Sequence, residues 1–103
     1  MDDKQKSVCV IAVSHYGEQH QVVKAVEELS ELQKELSKFV GYCMDGAFVN
    51  NVELKQRMLA RITDEMADVN IVMEQLKMIF GNGASVEQVV ERKLLRLRAR
   101  MEG

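Results

Sequence analysis

Proline and tryptophan are both absent from this sequence, and glycine is confined to six positions. Without proline, nothing in the chain forbids a helix from continuing, so helices should end only where glycine, asparagine or aspartate lets the backbone turn. Cysteine is scarce as well. Cys9 and Cys43 are far apart, form no C-x-x-C pair and have no histidine at ligand spacing, which removes a disulfide scaffold or a zinc site from consideration. Both are expected in the core. Histidine occurs only as His15 and His20. Neither follows a glutamate by three residues, so the Glu-x-x-His motif of di-iron helical bundles is missing, and both read as packed or surface side chains. No long apolar run occurs either: Val8 to Val13 is far too short for a membrane span, or for the apolar stretch of a signal peptide with a cleavage site after it. A cytoplasmic protein with no membrane partner is the expectation. The net charge of −2 gives no general electrostatic case for nucleic acid as the main partner.

What is present is helix-forming residues in quantity. Hydrophobic residues make up 47% and charged residues 29% of the chain, an ordinary globular balance, and Ala, Leu, Met, Glu, Lys, Gln and Arg predominate. The prediction is one all-α domain over residues 1–103, an antiparallel helical bundle with two long central helices. The first helix should run from about Ser7 to Tyr16 and stop at Gly17. The second spans about Glu18 to Met44, with Val22, Val26, Leu29, Leu32, Leu36, Phe39 and Val40 at helical spacing. After Asp45-Gly46 and Asn50-Asn51, a third helix covers about Val52 to Phe80 and is stopped by Gly81-Asn82-Gly83. Ser85 is expected to cap the last helix, with Gln88 completing a capping box and Val86, Val90, Leu94, Leu97 and Met101 forming its stripe. The two central helices would be about 40 Å long at 1.5 Å per residue, more than two short helices can cover. A homodimer or homotetramer follows.

The apolar pattern breaks at four carboxylates. Glu65 falls in the middle of the stripe made by Leu54, Met58, Ile62, Val69, Val72 and Leu76, with Asp68 one turn later at its edge. A carboxylate on a buried stripe must be protonated, paired with a cation or bound to a metal, and no lysine or arginine on that face of the helix stands within a turn. On the second helix Glu28 lies at the edge of the apolar arc and Glu31 about 60° beyond it. The short turn between the helices makes them antiparallel neighbours, which brings the two pairs level to within a few ångströms. Four acids at that separation are stable together only around cations, and all-oxygen ligation selects Mg²⁺, with Mn²⁺ as a substitute, over zinc or copper.

The order Glu27-Glu28-Leu29-Ser30-Glu31 followed by Glu65-Met66-Ala67-Asp68 resembles the E-E-x-x-E and E-x-x-D signature of MazG-like nucleoside triphosphate pyrophosphohydrolases. The similarity runs from about Tyr16 to Arg100, with a longer interval between the two motifs than is typical. It implies an α-helical dimer or tetramer that uses Mg²⁺ to hydrolyse a (deoxy)nucleoside triphosphate to its monophosphate and pyrophosphate. Glu28, Glu31, Glu65 and Asp68 match the metal ligands, and Glu27 matches an acid that orients or deprotonates water. On the last helix Lys93, Arg96 and Arg100 lie within about 60° of one another beside the stripe. The resemblance makes Lys93, with Arg96, the expected holder of substrate phosphate. Two other readings stay open: a non-catalytic helical dimerisation or regulatory module, and a relative specific for phosphoribosyl-ATP or dUTP.

Overall fold

The chain begins its first helix earlier than the hydrophobic pattern suggests, because Asp2 and Gln5 cap one another. The Asp2 carboxylate accepts from the Gln5 backbone N–H at 2.8 Å, and the Gln5 side chain accepts from the Asp2 N–H at 3.0 Å. This reciprocal pair satisfies two donors that a helix start otherwise leaves unmet. In the computed structural model, which describes residues 1–103, α1 therefore spans Asp3–Tyr16 and not Ser7 onward. It ends at Gly17, whose φ of 95° and ψ of 151° are open only to glycine, so the chain breaks direction without a loop.

The helix α2 then runs Glu18–Met44 and α3 runs Val52–Phe80. The Asn51 side chain caps α3 by accepting from the Leu54 N–H at 3.1 Å. Gly81, left-handed at φ 60°, closes α3 by donating its N–H to the Lys77 carbonyl. Because that turn is so tight, α4 starts at once and spans Gly83–Glu102. Asn82 occupies its cap position, and Ser85 lies inside the helix. The Ser85–Gln88 capping box is not formed. Four helices and no strand make the chain 87% helical.

Partners across α2 and α3 pair in reverse order, so the two run antiparallel. Gln21, near the start of α2, donates its side-chain amide to Gln75 of α3 at 2.9 Å. At the far end Phe39 and Tyr42 pack on Phe48 of the connecting turn, ring centroids 5.3 and 5.8 Å apart. α1 lies against both, chiefly α3. The interior is small: Cys9, Ala25, Met58, Ile62 and Val72, with the amides of Gln21 and Gln75 among them. Cys43 is exposed, which corrects its expected place in the core. Leu29, Leu36, Val40, Met66 and Met73 also remain exposed along the α2–α3 pair.

α4 stands apart. No residue of it is buried, every residue from Glu91 to Gly103 is exposed, and Leu94 and Met101 show 58% and 73% of their surface. The radius of gyration, 17.3 Å, exceeds the roughly 13 Å of a closely folded chain of this length. No helix is long and apolar enough to cross a membrane.

Candidate metal centre

Two helical spacings build the site. Glu65 and Asp68 are three apart on α3, which puts their side chains on neighbouring positions of one face. Glu28 is seven residues after the buried Gln21 on α2, two full turns along the same α3-facing side. One carboxylate oxygen from each of Glu28, Glu65 and Asp68 lies within 4.8 Å of the others, and all three residues are half-buried. Oxygens around one Mg²⁺ at about 2.1 Å lie at most about 4.2 Å apart, so small side-chain rotations would seat all three on a single ion.

Electrostatically the site is short of positive charge. Burial pushes the Glu65 carboxyl above its ordinary pKa, and the charges of Asp68, Glu28, Glu31 and Asp64 push it the same way. Asp68 is raised by burial, then by Glu28 and Asp64, with Lys24 partly opposing them. The second oxygen of Glu65, Oε2, is shut off from solvent and has no hydrogen-bond partner. Such an orphaned acceptor in an all-oxygen cluster fits a hard divalent cation.

The placement of the other expected residues is uneven. Glu31 is exposed and outside the triad, though near enough for its charge to act on Glu65. Glu27 is exposed on the outer side of α2, and its charge is felt at Lys24. Lys93 and Arg96 are exposed on α4, around a shallow recess lined otherwise only by Ala99 and Arg100 of the same helix. Nothing in their own chain brings them to the acidic triad. His20 holds the Gln21 side-chain oxygen with Nδ1 at 2.7 Å and stacks on Tyr16, away from the three acids in role.

Sequence reasoning misses Lys24. Its Nζ lies 3.0 Å from Glu28 Oε1, an i,i+4 pair, and the bond to Glu28 raises the lysine's own pKa. On α3 itself Arg61 stands one turn before Glu65, contrary to the expectation of no cation there, but makes no ion pair with it; the cation that reaches the acids comes from α2, where its spacing from Glu28 is the signal that reveals it. Glu35 is missed as well. Its Oε2 is a second buried oxygen without a partner, while Oε1 lies 3.7 Å from Lys38 Nζ. No protein family, curated protein or solved structure matches this chain.

Proposed function

We propose that this chain is a MazG-like, Mg²⁺-dependent pyrophosphohydrolase, with Mn²⁺ as a substitute ion, that converts a (deoxy)nucleoside triphosphate to its monophosphate and pyrophosphate. The observation that carries the reading is the convergence of Glu28, Glu65 and Asp68 across α2 and α3, in the motif order already noted, around an oxygen of Glu65 that has no partner. These three residues would hold the cation, with Glu31 swinging in from one turn further along α2. When bound, the ion would neutralise phosphoryl charge and make the attacking water more acidic. Lys24, paired with Glu28 at 3.0 Å, would give up that carboxylate to the ion. For Glu27 the support is the resemblance alone, which gives it the orienting or deprotonating of water, since its side chain is exposed and outside the triad.

The chain offers no nucleophile of its own at this place. Cys9 is buried, Cys43 lies near the far end of α2, and no serine pairs with a histidine. Water would therefore attack directly, in a single in-line displacement, and the MazG-like resemblance assigns that attack to the α-phosphorus. The test is hydrolysis of a nucleotide panel in ¹⁸O water with Mg²⁺, including dUTP and phosphoribosyl-ATP. Label should appear in the monophosphate alone. Label in pyrophosphate, or accumulation of a diphosphate, would refute the assigned chemistry.

One observation favours a second reading: the apolar faces left open on α2, α3 and α4 suit a helical dimerisation module without turnover. No Mg²⁺-dependent pyrophosphate release across the panel would select it. Under either reading the same faces support a homodimer or homotetramer.

A further inference from the structure

Two surfaces of this chain lack a partner and match one another. The first is α4, whose stripe of Val90, Leu94, Leu97 and Met101 is exposed along its whole length. Helices in proteins take most of their stability from packing an amphipathic face, and this one of 20 residues has none packed by its own chain, so that stripe needs cover. Its flanks differ in charge: Lys93, Arg96 and Arg100 follow one side, while Glu87 and Glu91 lie on the other, where Arg98 is paired with Glu102 at 2.8 Å. The second surface is a groove between α1 and α3, walled by Met1, Val8, Cys9, Ala67 and Ile71. Val8 and Ile71 are exposed there. The groove's α3 rim is acidic, while its α1 side carries Lys4, one turn before Val8, as well as acids at the helix head. Asp64 and Asp68 stand beside Ala67 and Ile71 on α3, and Asp2 and Asp3 stand at the head of α1.

We infer that α4 of one chain docks in the α1–α3 groove of a second copy, laying Lys93, Arg96 and Arg100 along that copy's Asp64–Asp68 edge. The exchange is reciprocal about a two-fold axis, so each acidic triad is bordered by cations of the other chain. Pairing of two α4 helices in antiparallel register would set Lys93 against Arg100, whereas the groove offers apolar walls with carboxylates on the correct side. The docking rests on the shapes and charges alone. The role of the cations as phosphate holders rests on the pyrophosphohydrolase reading.

A photo-crosslinker separates these statements. Leu94 and Met101 are replaced, one at a time, by p-benzoylphenylalanine in a mixture of ¹⁵N-labelled and unlabelled chains at micromolar concentration. The two positions guard against either change disturbing the helix. Irradiation should yield covalent dimers of mixed isotope, with the crosslink mapped to Gln5–Cys9 or Ala67–Ile71. Crosslinks within one chain, crosslinks from α4 to α4, or no covalent dimer at either position would overturn the docking. Because this readout needs no substrate, a wild-type chain without turnover would defeat the proposed function and leave the crosslinking outcome intact. With an active wild type, Glu65→Gln chains mixed with Lys93→Ala/Arg96→Ala chains should exceed the mean of the two separate activities several-fold. A mixture that stays at the mean would remove the exchanged cations from the site.

Discussion

The α2–α3 pair and α4 are written in the same alphabet, yet only one of them is finished within the chain. Both carry an apolar stripe at helical spacing and both are rich in strong helix formers. The pair holds every buried residue except Cys9, and α4 holds none. An amphipathic pattern states that a face will be covered, and says nothing about which chain provides the cover. Charge divides along the same line. Carboxylates are gathered where the pair closes, and α4 carries five cations against three carboxylates.

The comparison breaks hardest at Glu65. Glu65→Gln should lower metal-dependent turnover by about 10²-fold or more, since a proposed ligand of the ion is lost while shape is kept. Without metal the variant should melt at or above the wild-type temperature, because a poorly solvated charge has been removed. Near-normal turnover, or a much lower melting point, would show that Glu65 does not occupy the role given to it.

Next in size is the contrast between a finished and an unfinished interior. Met58→Ala, at a position 2% exposed, should cost about 2–5 kcal/mol in urea unfolding, the usual range for deleting a core methionine. Leu94→Ala should cost under about 0.5 kcal/mol in dilute protein, where α4 has no cover from its own chain. Equal losses at low concentration would mean that α4 is packed in the isolated chain.

Acidity sharpens the comparison further. Glu65 and Asp68 titrate above their ordinary range in the folded chain, so the stability they contribute is complete below their unfolded pKa values and is lost as pH rises through the folded ones. In chelator, the melting temperature should gain from these two groups on going from neutral pH into the acid range, a gain reduced in Glu65→Gln. Mn²⁺ affinity should move the opposite way and weaken over the same window, since protons compete for the same oxygens. Isothermal titration at several pH values would measure this, and a flat affinity would argue against Glu65 and Asp68 as ligands. The smallest effect concerns Lys24. Lys24→Met should tighten Mn²⁺ binding about two- to five-fold, the scale of one exposed ion pair, by freeing Glu28. Weaker binding would mean that the lysine supports the ion site and does not compete with it.

How much of this can be read from the letters depends on what each letter has to contact. The limits of α2 and α3 are legible because Gly17, Asp45-Gly46, Asn51 and Gly81 act on backbone within a few residues. The apolar pattern sets the start of α1 too late although the true signal is equally local: Asp2 and Gln5 stand at capping-box spacing. Ser85 carries a valid cap signal that the tight turn at Gly81 pre-empts. In the site, Glu28, Glu65 and Asp68 are foreseeable from antiparallel register. Glu31 falls short of the triad because its extra 60° or so on the helix turns it to solvent. Cys43 shows the limit of local reading, since apolar neighbours along the chain bury nothing when no second helix lies over them.

The hydrogen bond between Gln21 and Gln75 acts as a ruler for the acids. Gln21 precedes Glu28 by seven residues on α2, and Gln75 follows Asp68 by seven on α3, so both helices measure the same two turns, about 10.5 Å, from amide to carboxylate. Sliding one helix by a single turn would strand two buried amides, at about 1–3 kcal/mol each, and draw Glu28 about 5.4 Å out of step with its partners. An uncharged pair thus holds mutually repelling carboxylates at one spacing whether or not an ion is present to reward it.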